Sequence, residues 1–163
     1  MMLCDNSRMK ITILAVGKLK KSYWREATEQ YLRRLSAFAK AVVVEVPDRD
    51  AEERTGERVQ TREAADLLKR MPDDAHVIAL DGCGQQRTSE DFALHLEKLA
   101  LQGRSHLCFI VGGSTGLAPE VLERADEVLS FGSQTWPHNL ARVMLAEQLY
   151  RAFSIKAGHP YHK

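Results

Sequence analysis

At 163 residues, with 44% hydrophobic and 28% charged residues, the chain has the length and composition of one globular domain, neither disordered nor fibrous. Its formal net charge of +1 excludes a bulk electrostatic case for nucleic-acid binding, so any such role must rest on local clusters of basic residues. Cys4, Cys83 and Cys108 form no C-x-x-C pair and are expected to be reduced thiols in a cytoplasmic protein, and no stretch reads as a signal peptide or membrane span.

In chain order, residues 1–8 are polar and are expected to form a flexible extension ahead of a domain over 9–163. Strands are predicted at 11–17 (ITILAVG), 41–47 (AVVVEVP), 76–82 (HVIALDG), 106–112 (HLCFIVG) and 127–133 (EVLSFGS). Several are nearly continuous apolar runs, the pattern of strands covered on both faces. Helices are predicted at about 21–38, 58–71, 88–102, 118–126 and 137–156. In the first, Trp24, Ala27, Tyr31, Leu32 and Leu35 form one apolar stripe. The mixed-charge run 48–63 reads as a solvated loop leading into a helix. This alternation predicts a single-domain α/β protein with a mainly parallel sheet flanked by helices.

The segment VGGSTGL (111–117) has the Gly-x-Ser-x-Gly spacing of a nucleophile elbow. An elbow needs its helix to begin directly behind the serine, whereas Pro119 suits a helix start after an open loop. Too little chain follows to carry an acid and a histidine, although Asp126 and His138 are formally available. No lysine completes a phosphate loop, and the dinucleotide pattern is unmet. What remains is a glycine turn at the carboxyl end of a buried strand, where backbone can closely approach a ligand. Two further loops have the same character: Leu80–Gly84 and Phe131–Trp136. Together the three could present backbone N–H and C=O groups to an adenine edge and a ribose.

The C-terminal segment adds a long helix with Leu145, Leu149 and Phe153 at four-residue spacing, an i, i+4 pair Glu147–Arg151, and a tail His159-Pro160-Tyr161-His162. The two histidines lack further ligands nearby in sequence, so no metal is expected.

GGSTGL (112–117), SFGSQTWPH (130–138), RVMLAEQLYRAFSI (142–155) and HPYH (159–162), with the opening MKITILAVGKLKKSYW (9–24), together resemble the RlmH family. These are SPOUT-class bacterial enzymes that methylate N3 of a pseudouridine in large-subunit (23S) ribosomal RNA. The resemblance covers the chain from Met9 onward and implies an S-adenosylmethionine-dependent methyltransferase. It also implies a C-terminal trefoil knot and a homodimer built around the knot region and final helix. By similarity, Leu80, Gly112, Gly113 and the run Phe131, Gly132, Ser133, Gln134, Thr135 and Trp136 match cofactor positions. The partners implied are ribosomal RNA, in the assembled ribosome, and a second copy of the chain.

A uracil-type N3 carries a proton at neutral pH, so the site must accept it, stabilise the resulting anion and align N3 with the methyl donor. Arg142, Arg151, His159, Tyr161 and His162 are the candidates for this work and for gripping phosphate, with His159 or His162 as base. Lys18, Lys20, Lys21, Arg25, Arg33 and Arg34, with Arg142, Arg151, Lys156 and Lys163, could form a local positive field. The rival readings are a flavodoxin-like nucleotide-binding protein and a noncatalytic ribosome-assembly factor.

Overall fold

The computed structural model describes residues 8–50 and 55–163. The expected N-terminal extension therefore lies outside the described residues except for Arg8, whose Nη1 donates to Ser36 O at 3.3 Å. Residues 51–54 of the mixed-charge run also lie outside them.

Strands and helices alternate without exception: β1 (Lys10–Val16), α1 (Ser22–Leu35), β2 (Lys40–Val46), α2 (Gly56–Arg70), β3 (His76–Gln86), α3 (Ser89–Leu101), β4 (His106–Val111), α4 (Pro119–Arg124), β5 (Glu127–Ser130) and α5 (His138–Lys156). Threonines set two of the helix starts, the hydroxyls of Thr55 and Thr88 accepting from Arg58 N and Asp91 N. The short α4 begins at Pro119, where a missing N–H costs nothing.

The sheet is parallel at every pairing, in the order β2-β1-β4-β3-β5. Alternation along β1 and β4 divides the core. Ile11, Ile13, Ala15, Leu107, Phe109 and Val111 pack under α1, α3 and α5, while Leu14, Val16, Cys108 and Ile110 pack under α2 and α4. Both faces of β1 and β4 are thus covered, which is why these strands read as continuous apolar runs. Burial of Cys108 pushes its thiol up to about 12, so that group is a small hydrophobe and stays protonated. Among the described residues no helix is long and apolar enough to cross a membrane.

Two features differ from the sequence expectation. The first is β3, which does not stop at Gly82. After Leu80 pairs with Leu129 the chain makes an excursion through Asp81–Gly84, then rejoins the ladder with Gln85 again opposite Leu129. Gly84 makes this possible: a Cβ there would lie 2.6 Å from both C and O of Val128 and 2.7 Å from C of Leu129. The second is β5, shorter than predicted and ending at Ser130. Phe131–Trp136 is released as loop because Gly132, at φ +121°, turns the chain out of the ladder.

Strand β4 lies between β1 and β3, and the helices that enter and leave it, α3 and α4, lie on opposite faces. Such a reversal opens a crevice at the carboxyl ends of the strands.

Candidate cofactor cleft

That crevice is a cleft of about 290 Å3. Leu80, Asp81 and Gly82 line it from β3; Val111, Gly112, Gly113, Ser114, Gly116 and Leu117 from the end of β4; and Leu129 through Trp136 from β5 and its loop. His138 and Ala141 of α5 complete the lining. The three loops grouped from sequence are therefore one wall system. Every residue matched to a cofactor position, Leu80, Gly112, Gly113 and Phe131 through Trp136, faces the same space.

Local backbone chemistry holds these walls. In the glycine loop, Gly116 N–H donates to Gly113 O at 3.1 Å, and Gly116 takes φ +75°. Gly112 is hemmed in: a Cβ there would sit 3.0 Å from C of Gly116 and 3.1 Å from Cδ2 of Leu117. The β5 loop is closed by Ser130, whose hydroxyl donates to Gly132 O at 3.0 Å and accepts from Gly132 N–H at 3.2 Å. Trp136 Nε1–H returns to Phe131 O at 3.4 Å. Gly112, Gly113 and the exposed Gly116 bring main chain to the cleft lining, and Asp81, Ser133, Gln134 and Thr135 add short polar groups, a donor and acceptor set suited to a nucleoside.

Beneath the glycine loop lies Glu63 of α2, buried, with Oε1 accepting from Arg49 N–H at 3.0 Å and Oε2 lacking a hydrogen-bond partner. Burial raises its pKa above the ordinary 4.5; the Arg49 bond opposes this, and the charges of Asp48, Asp50 and Asp66 add to the rise. The folded state therefore holds this proton more tightly than the unfolded chain does. The resulting stabilisation is complete below pH 4.5 and is lost as pH rises through the raised folded value. Chemical denaturation from pH 4 to 8 is expected to show wild type losing stability relative to Glu63→Gln over that window; parallel curves would contradict the assignment.

The candidates for chemistry, Arg142, Arg151, His159, Tyr161 and His162, do not line the cleft. Arg142 is buried, 3% exposed, donating from Nη1 to Gly17 O at 3.0 Å and from Nη2 to Glu45 at 2.7 Å. It ties α5 to β2 and the β1 turn, with its charge paired to Glu45 and its buried Nε left without a hydrogen-bond partner.

Arg151 forks onto Glu147 Oε1, with its Nε at 2.9 Å, and its guanidinium lies 4.8 Å from the Tyr161 ring centre. Tyr161 donates to the same oxygen at 3.1 Å; burial first, then this bond, push its hydroxyl up to about 12, so it stays protonated. Arginine can only donate, so the 3.1 Å contact from Arg151 Nη1 makes His162 Nδ1 an acceptor. His162 Nε2–H then donates to Glu90 at 2.7 Å. The imidazole of His159, by contrast, stands perpendicular to the Phe38 ring, with ring centres 5.6 Å apart.

Sequence reasoning named His138 only as a formal triad partner, yet it lines the cleft. Its position directly after the Phe131–Trp136 loop was the available signal. Asp126 does not join Ser114 and His138 in the cleft lining; its carboxylate accepts from Val77 N–H at 2.7 Å. A hydroxyl–imidazole–carboxylate chain does exist at the opposite strand ends, Thr12–His106–Asp74, with links of 2.8 and 3.0 Å. Thr12 and His106 are both buried there, so the chain is structural.

A neighbouring groove of about 410 Å3 shares Leu129–Gly132 with the cleft and is lined further by Tyr31, Phe92, Val143, Met144 and Glu147. A third, of about 360 Å3, carries Lys18, Lys20 and Arg25 above the Arg142–Glu45 pair.

Comparison with known proteins agrees with this geometry. A family model described as "Predicted SPOUT methyltransferase" matches residues 9–162. The chain is 50% identical over 159 residues to the ribosomal RNA large subunit methyltransferase H of Listeria monocytogenes, covering 95% of this chain and 100% of the relative. Identity to the protein of the same name from Bacillus cereus is 47% over 159 residues, with the same 95% and 100% coverage. Among solved structures, a "probable methylase family protein" from Haemophilus influenzae superposes with a TM-score of 0.52 at 12% identity, covering 94% of this chain and 70% of that one. A "Probable Methyltransferase" from Bordetella pertussis gives 0.51 at 14% identity, covering 90% and 97%. At these identities the structural likeness is one of fold.

Proposed function

Since the chain belongs to the SPOUT methyltransferase family, we propose that it transfers the methyl group of S-adenosylmethionine to N3 of a pseudouridine in large-subunit ribosomal RNA. The observation that carries this reading is the convergence of the three strand-end loops on one cleft with exposed main chain. When bound there, S-adenosylmethionine supplies a methyl group on a positively charged sulfur. The glycine loop Gly112–Gly116 forms one wall for it, and Phe131–Trp136 forms another. We place the family's threaded C-terminal chain in this same region.

The chemistry also needs a proton acceptor and cationic groups, and the tail that offers them is tied to Glu147 and Glu90 and does not line the cleft. Glu147, which anchors Arg151 and Tyr161, lines the neighbouring groove beside Phe131 and Gly132. We therefore read the active unit as a homodimer in which a second copy covers this groove and brings its tail towards the cleft. Half-buried Val143 and Met144 on α5 support this reading, as apolar side chains left beside a groove. Of the two tail histidines, His162 has both ring nitrogens hydrogen-bonded, whereas among the described residues no hydrogen bond holds the His159 ring, which makes His159 the better placed candidate base. Met144→Glu is expected to shift sedimentation from dimer to monomer and to lower methyl transfer at least ~100-fold, the cost of ~2.7 kcal/mol in assembling the site. An unchanged dimer would remove the groove from the interface.

Lys18, Lys20 and Arg25 line the third groove, the turn bearing them held by Arg25 Nη1–H bonds to Leu19 O at 3.1 Å and Lys20 O at 3.0 Å. Such a positive ledge suits RNA phosphate despite the near-neutral total charge. The described residues form one α/β unit, and recognition would depend on folded RNA in the assembled subunit, in the cytoplasm. The test is incubation of the protein and labelled S-adenosylmethionine with unmodified large ribosomal subunits, followed by mass mapping of the RNA. Label at one pseudouridine is expected. Cofactor binding without transfer to any subunit would favour the assembly-factor reading, and flavin or nucleotide binding with no response to S-adenosylmethionine would favour the flavodoxin-like one.

A further inference from the structure

The glycine loop is held from behind by one face of α2. Gly56, Gln60 and Glu63 recur there at helical spacing. A Cβ on Gly56 would touch Thr115 Cγ2 at 3.6 Å, and a Cβ on Gly113 would lie 3.2 Å from Glu63 Oε2. Between them Gln60 Nε2–H donates to Thr115 O at 2.9 Å and to Leu117 O at 3.3 Å. One side chain therefore claims two carbonyls of the loop and turns both towards α2, away from the cleft.

Peptide planarity converts this into control of the loop. With Thr115 O fixed on the α2 side, the N–H of the same peptide, that of Gly116, must point the other way. There it donates to Gly113 O at 3.1 Å, so the Thr115–Gly116 peptide is gripped from both sides. A flip of this peptide would break both bonds and turn a carbonyl into the cleft. Gly116, lacking Cβ and already at φ +75°, offers little steric resistance to such a flip. Nothing else among the described residues donates to Thr115 O.

We propose that Gln60 is a positioning residue for cofactor binding, its side-chain amide pinning the peptide orientation that keeps the Gly112–Leu117 wall open. The proposal rests on the reading that the cleft holds S-adenosylmethionine. The requirement is for a donor at this place, not for packing. Gln60→Leu, of similar size but without a donor, therefore weakens binding, whereas Gln60→Lys, which retains N–H donors, preserves it.

The experiment is calorimetric titration of wild type and both variants with S-adenosylmethionine and with S-adenosylhomocysteine, alongside thermal unfolding. The expected result is at least a tenfold rise in Kd for both ligands in Gln60→Leu, a nearly unchanged thermal midpoint, and Kd within threefold of wild type in Gln60→Lys. Wild-type affinity in Gln60→Leu overturns the proposal, as does equal weakening in both variants, which would assign the effect to packing. If Gln60→Leu fails to fold, the flexible donorless Gln60→Met takes its place under the same criteria. Failure of the underlying reading looks different: wild type itself then binds neither ligand, and the proposal falls with it.

Discussion

Gly84→Ala costs at least ~3 kcal/mol of stability and lowers the thermal midpoint by about 6–12 °C, on a scale of about 2–4 °C per kcal/mol for a domain of this size. The reason is geometric. The new Cβ would sit 2.6 Å from the backbone C and O of Val128, and neither atom can swing aside as a flexible side chain could. Relief requires β5 to separate from β3 where Gln85 and Gln86 pair with Leu129 and Ser130. Because Leu129, Ser130 and the following loop line the cleft, cofactor affinity falls together with stability. Gly82 lies in the same excursion with open space around its added Cβ, so Gly82→Ala serves as the control and is expected to unfold within about 2 °C of wild type, in line with surface substitutions of about 0.5 kcal/mol. Equal midpoints for Gly84→Ala and wild type would mean that the excursion is not packed as described.

Gly112→Val raises the Kd for S-adenosylmethionine at least ~100-fold, equivalent to about 2.7 kcal/mol. Gly112 is buried at the point where β4 becomes the glycine loop. A Cβ alone meets Gly116 C at 3.0 Å and Leu117 Cδ2 at 3.1 Å, and the two further methyls of valine must displace the loop or enter the cleft. Gly112→Ala should fall between, since it brings the contact without the extra methyls. Circular dichroism separates loss of the site from loss of the fold. A folded Gly112→Val protein binding within threefold of wild type would show that the cofactor does not approach this backbone.

The alternation of elements was legible because each segment carries its own local signal. Apolar runs such as HLCFIV became β4, Pro119 marked a helix start, and the α5 region began and ended near its prolines and glycine. Strand order was not legible, since placing β4 between β1 and β3 depends on pairings such as Ile13 with Phe109 that no local pattern encodes. The three loops could be grouped from their glycines and their place after strands, but their meeting in one cleft required that order.

The partners of Arg142 were not legible either. In sequence it is a cation on the last helix; in the fold it is sequestered by Glu45 and Gly17 O, contacts 97 and 125 residues away. The roles of Gln60 and Glu63 were equally hidden, because they appear in sequence as ordinary members of a charged helix and act only through the loop their helix supports. The tail residues were recognised as a group. Their mutual hydrogen bonds, which engage His162, belong to the tertiary structure.

The most direct measurement is calorimetric titration of the purified, cofactor-free protein with S-adenosylmethionine. Saturable binding of one molecule per chain, lost in folded Gly112→Val, is the predicted result. Absence of binding by the folded wild-type protein, both alone and with large ribosomal subunits present, would contradict the assignment of the strand-end cleft as the cofactor site.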